Sequence, residues 1–135
     1  KYWTIEFPTE ELTAANCPLS VQLGVCNDTQ GVGAPRFWVM QWSAPEDGHP
    51  DWVTFKTYSV PDFPVTSKRD VWQFPGHKYI TANLPEEVIG LSKVLVRMMP
   101  DPSHLCAGTA TSYDEGTING SRSTAINYVG VRYNK

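Results

Sequence analysis

Apolar and polar residues alternate in twos along most of this chain, which is the period of strands packed on one face. Residues 2–7 set Trp3, Ile5 and Phe7 against Tyr2, Thr4 and Glu6, and residues 19–26 set Leu19, Val21, Leu23 and Val25 against Ser20, Gln22 and Gly24. Residues 36–43 differ. Phe37, Val39 and Gln41 occupy one face and Trp38, Met40 and Trp42 the other, so both faces are largely apolar. That pattern predicts a central strand covered on each side, or a strand whose outer face binds something. Asp47-Gly48 predicts a tight turn into a second strand over 52–59, with Val53, Phe55 and Thr57 opposite Trp52, Thr54 and Lys56. Further strands are predicted over 78–84, 93–99 and 125–133, the last with Ile126, Tyr128, Gly130 and Arg132 opposing Asn127, Val129, Val131 and Tyr133.

No window sustains an apolar period of 3.6. Pro85-Glu86-Glu87-Val88-Ile89-Gly90 fits a single helical turn, with Pro at its first position, acids in its first turn and Gly at its end. The remainder is strands punctuated by glycines and eleven prolines. The expected fold is therefore all-β, an antiparallel β-sandwich of jelly-roll type, with 1–135 forming one domain. Two long loops interrupt it. Residues 60–77 carry Pro61, Pro64, Pro75, Trp72 and Phe74, and residues 100–124 are polar and rich in Gly, Ser and Thr. Loops of such length in a small domain usually carry function.

The 135 residues suffice for one core, at 41% hydrophobic composition. Only 19% are charged, the net charge is -3, and the densest basic run is Lys68-Arg69, which argues against nucleic acid as a partner. No apolar run approaches the ~18 residues of a transmembrane segment. The chain opens in strand pattern without a Met, and is expected to be a piece of a longer secreted protein. Cys17, Cys26 and Cys106 are an odd number. Cys17 and Cys26 suit one disulfide or two small thiols, and no spacing suits zinc. Asn27-Asp28-Thr29 and Asn119-Gly120-Ser121 are glycosylation sequons.

The order of motifs is informative: Ala34-Pro35-Arg36-Phe37-Trp38-Val39-Met40-Gln41-Trp42-Ser43, Asp47-Gly48, Trp52, Leu84-Pro85-Glu86, Val94 to Arg97, and the closing Ile126-Asn127-Tyr128. It resembles the jelly-roll, carbohydrate-binding-module-like (galactose-binding-like) C-terminal modules of secreted or surface proteins, often lipoproteins, of polysaccharide-using gut bacteria. The resemblance covers roughly residues 2–133. It implies a non-catalytic accessory module that is secreted, periplasmic or on the outer cell surface, with neighbouring domains of its parent chain and a polysaccharide or oligosaccharide as partners. Asn127 and Tyr128 stand where many relatives carry an Asp pair, which weakens any sugar or calcium site carried over from them.

Sugar binding needs flat aromatic rings for the C–H faces of a pyranose and planar polar groups for its hydroxyls. Trp3, Trp38 and Trp42 lie on regular strands and are expected in the core. Trp72, in a proline-rich loop, is the expected stacking platform, against the alternative that it plugs one end of the sandwich with Phe74. Tyr58 and Tyr113 are second platforms, and Arg69, Asp70 and Asn83 the polar contacts. Arg36 and Arg97 are read as strand-end anchors held by carboxylates, or as snorkelling side chains. No cofactor is expected. Calcium is a candidate only through Asp101, Asp114 and Glu115, or through Glu46, Asp47 and Asp51, which a simple turn also explains. No motif selects two carboxylates, a triad or an activated thiol, so no catalytic residue is assigned. Two rivals accompany the glycan-binding reading: a spacer domain with no ligand of its own, and a glycan-active enzyme domain.

Overall fold

A computed structural model describes residues 2–27, 35–60, 78–103 and 124–135. Its strands are β1 (Trp3–Phe7), β2 (Ser20–Asn27), β3 (Phe37–Ala44), β4 (His49–Ser59), β5 (Lys78–Asn83), β6 (Val94–Pro100) and β7 (Thr124–Arg132). Among the described residues they form two antiparallel sheets, one ordered β1-β6-β3-β4 and the other β5-β2-β7. Among the described strands, consecutive ones lie in different sheets at every step but the β3–β4 hairpin, the crossing habit of jelly-roll and Greek-key sandwiches. The expected antiparallel β-sandwich is therefore what the chain builds. No helix among the described residues is long and apolar enough to cross a membrane.

The core lies between the sheets. β3 is central in its sheet and turns Trp38, Met40 and Trp42 inward, where all three are buried; Val39 on its outer face is buried too. Opposite them β2, central in the other sheet, contributes Val21, Leu23 and Val25, with Ile80 and Ala82 from β5, while Val94, Val96 and Met98 of β6 line the core beside β3. Each such side chain adds roughly 1.5–3 kcal/mol of burial free energy. Trp3 stacks on Trp38 at 5.3 Å between ring centroids, and Trp38 donates its indole N–H to Pro35 at 2.9 Å.

The β3–β4 connection departs from the two-residue turn that Asp47-Gly48 suggests. Pro45 opens a one-turn 3-10 helix over Pro45–Asp47, Gly48 closes it at φ 85°, and β4 begins at His49 rather than Trp52. A left-handed φ suits glycine, which has no Cβ to clash. Asp47 is thereby freed to accept hydrogen bonds from the amides of Ser92 and Lys93 (both 3.1 Å) and the Ser92 hydroxyl (2.9 Å). Those amide donors, first Ser92 and then Lys93, hold the Asp47 carboxyl below its ordinary pKa. Glu46 pairs with Lys93 at 2.7 Å. The expected turn before β6 is a 3-10 helix over Glu86–Val88, followed by Gly90 at φ 81°. The buried Thr9 hydroxyl donates to the Val88 carbonyl and accepts from the Leu91 amide at 3.0 Å, tying the end of β1 to this turn.

Among the described residues the register shifts opposite Met40/Gln41, Trp42/Ala44 and Gly24/Val25, and the first and last of these reset the alternation around tyrosines. In β4 the register slips opposite Met40/Gln41, so that Tyr58 pairs with Trp38 while Thr54 pairs with Gln41. Tyr58 therefore turns into the core, where it is 7% exposed and stacked 6.3 Å from Trp38. In β7 the register slips opposite Gly24/Val25, pairing Tyr128 with Gly24 and Ile126 with Val25 and leaving Asn127 without an opposite. Ile126 and Val131 consequently both pack on the core, which strict alternation forbids.

Candidate functional site

The outer face of the β5-β2-β7 sheet is built by register. Its rows read Tyr79–Gly24–Tyr128, Thr81–Gln22–Gly130 and Asn83–Ser20–Arg132. Inward residues of the same strands fill the core, so these nine positions are committed to the opposite side. Gly24 leaves the position between Tyr79 and Tyr128 without a side chain, a marker in strands of close approach by another group. Tyr79, 72% exposed, and Tyr128, 39% exposed, flank Gly24 on the two outer strands. With strands ~4.8 Å apart, their backbones stand about 10 Å from one another.

The Tyr128 side chain reaches along its strand to Gly130. A methyl group placed on Gly130 would stand 2.9 Å from Tyr128 Cζ and closer still to its hydroxyl. The hydroxyl end of the ring thus uses the space above Gly130 that any side chain there would fill. This arrangement suits a pyranose, whose C–H face stacks on a flat ring while Gln22, Thr81, Asn83 and Arg132 offer hydrogen-bonding groups to its hydroxyls.

The sequence-predicted residues fall in three places. Asn83 is exposed and on this face. Tyr58, expected as a second platform, is in the core and presents no ring face to solvent. Burial holds its hydroxyl well above the usual tyrosine pKa, and the hydroxyl has no hydrogen-bond partner among the described residues. Trp72, Tyr113, Arg69 and Asp70 lie outside the described residues. Tyr79 and Tyr128 were not expected as platforms. The signal that marks them is glycine at the outward positions 24 and 130 of half-buried strands.

Of the carboxylates singled out for calcium, Asp47 caps the start of β6, Glu46 pairs with Lys93, Asp101 accepts from the Ser103 amide at 2.9 Å, and Asp51 is exposed on β4. Asp114 and Glu115 lie outside the described residues. Among the described residues no three His, Cys, Asp or Glu side chains gather to hold a metal. Cys17, half-buried, and Cys26, buried on β2, are not joined to each other, so the candidate disulfide between them does not form; Cys106 lies outside the described residues. A cleft of about 350 Å³ opens at one end of the sandwich among Phe7, Leu12, Leu19, Val131, Glu10 and Tyr133.

Comparison of the chain with protein families, with curated proteins and with solved structures finds no match.

Proposed function

We propose that this chain is a non-catalytic module of a secreted or cell-surface protein that binds polysaccharide on the outer face of the β5-β2-β7 sheet. The observation that carries the reading is the exposed Tyr128 side chain reaching over Gly130, with Tyr79 on the far strand of the same face. Two exposed tyrosines whose backbones stand about 10 Å apart, with Gly24 between them, suit an extended chain of sugar rings better than a compact ligand. The polar row Asn83–Ser20–Arg132 continues the path.

The test is affinity electrophoresis against neutral polysaccharides, with wild type beside Tyr79→Ala, Tyr128→Ala and Gly130→Ala. Stacking worth roughly 0.5–1.5 kcal/mol per ring predicts a loss of about 2- to 12-fold for each tyrosine variant. Gly130→Ala removes no ring but lifts Tyr128 from the sheet, and weakens binding in the same direction. Retention of wild-type affinity by all three variants refutes the site. Loss in Trp72→Ala alone transfers it to the 60–77 segment.

A second reading is a spacer domain with no ligand. It is favoured by one observation: Trp38 and Trp42 are buried and Trp3 and Trp52 half-buried, so no described tryptophan stands free in solvent. A wild-type chain that ignores every polysaccharide supports this reading over the first.

A further inference from the structure

The opposite face of the sandwich carries a different chemistry. Across the β1-β6-β3-β4 sheet one outward row reads Thr4–Arg97–Gln41–Thr54. Arg97 donates its Nε–H to Gln41 Oε1 at 2.8 Å, and Gln41 in turn donates from Nε2 to Thr54 Oγ1 at 2.9 Å. The guanidinium carbon lies 4.2 Å from the centroid of the Trp52 ring and 5.8 Å from that of Tyr2. Neither of the anchors expected for Arg97, a carboxylate or a free snorkelling stem, is what holds it. Two rings and one amide hold it instead.

This leaves a fixed cation with its working end unspent. Nε is occupied, but among the described residues neither terminal nitrogen of Arg97 has an acceptor and no carboxylate pairs with it. Glu6 lies two positions from Thr4 on the same face of β1, and its field acts on Lys93. The planar fork of the guanidinium matches the two oxygens of a carboxylate. Its plane is set in advance by the Gln41–Thr54 chain and the Trp52 ring, so little side-chain freedom is lost on binding. Tyr2, 59% exposed, stands beside it as a ring for a sugar to lean on.

We propose that this row is a second, independent site, which binds the carboxylate of a uronic acid residue through the terminal nitrogens of Arg97, with Tyr2 and Trp52 flanking the sugar ring. The acidic sugar is the occupant because the face offers a cation and aromatic rings together. A neutral sugar would leave the guanidinium uncompensated, and a small free anion would not use the rings.

The experiment is affinity electrophoresis of the whole chain in gels containing polygalacturonate or its fully methyl-esterified form. Wild type is retarded by the acid and not by the ester. Arg97→Gln loses about 10-fold or more of that retardation, as expected for a charged hydrogen-bonded partner. Arg97→Lys keeps the charge without the fork and falls between the two, which separates loss of recognition from loss of fold; unchanged thermal midpoints check the latter. Tyr79→Ala/Tyr128→Ala leaves retardation intact, so this site and the tyrosine face succeed or fail separately. Equal retardation by acid and ester, no retardation by either, or wild-type behaviour in Arg97→Gln overturns the proposal.

Discussion

Leu23→Ala tests the strand on which the tyrosine face depends. Leu23 is 0% exposed, at the middle of the central strand β2, paired with Ile80 on one side and Val129 on the other. The change removes three carbons, worth ~2.4 kcal/mol at ~0.8 kcal/mol each. β2 is held by strands on both sides and cannot collapse freely into the space, so an open cavity raises the cost toward ~5 kcal/mol. Gln22→Ala, one residue away on the outer face, costs within ~0.5 kcal/mol. The assay is urea unfolding of the two variants beside wild type. At an m-value of roughly 2 kcal/mol/M, Leu23→Ala lowers the midpoint by about 1–2.5 M with m unchanged, while Gln22→Ala barely moves it. A one-residue slip of β2 would reverse the two results, because it exchanges every inward and outward side chain. A costly Gln22→Ala and a mild Leu23→Ala would therefore refute both the register and the grouping of Tyr79, Gly24 and Tyr128 on one exposed face.

Two further outcomes follow from the connections. Asp47 has its carboxyl pKa lowered in the fold from an ordinary value near 3.8, so its stabilisation is complete above that value and is lost as pH falls through the lower folded value. Urea midpoints measured against pH should show wild type more stable than Asp47→Asn at neutral pH, with the gap closing only below about pH 3.8; a gap independent of pH removes the carboxylate from the argument. Thr9→Val keeps the shape of a buried side chain but leaves the Leu91 amide and the Val88 carbonyl without their hydroxyl partner. It should destabilise by about 1–3 kcal/mol in the same assay, and a neutral result would mean that water or the backbone takes over the bonds.

The layers of the sandwich were legible because burial writes itself into a period of two. Trp38, Met40 and Trp42, and Val21, Leu23 and Val25, all point where alternation places them. Alternation fails where a bulge adds a residue, and two of the three register shifts decide where tyrosines point. In β4 the slip turns Tyr58 inward, although counting from Trp52 and Thr54 puts it outside. In β7 the slip separates Ile126 from Tyr128, which counting joins. A bulge depends on the partner strand, so no single segment announces it. The Arg97 row was hidden for a related reason: Thr4, Arg97, Gln41 and Thr54 come from four separate strands, and only sheet order makes them neighbours. Trp72 and its loop were singled out for composition and length alone, and they lie outside the described residues.

The strand order also sets the sequence of events by which the chain reaches this state. Among the described strands only β3 and β4 are neighbours both in the chain and in a sheet; Trp3 must wait for Met98, and Leu23 for Val129. On a ribosome, which delivers the N-terminus first, β1 and the centre of the second sheet emerge with their apolar faces long before their partners exist. The hairpin can close early, but neither sheet can be completed until the final third of the chain has been made. Folding is then governed by the closure of long loops, in the slow range of roughly milliseconds to seconds typical of β-sandwiches. During that interval β2, with Val21, Leu23 and Val25 unpaired, is the segment most in need of protection from other chains.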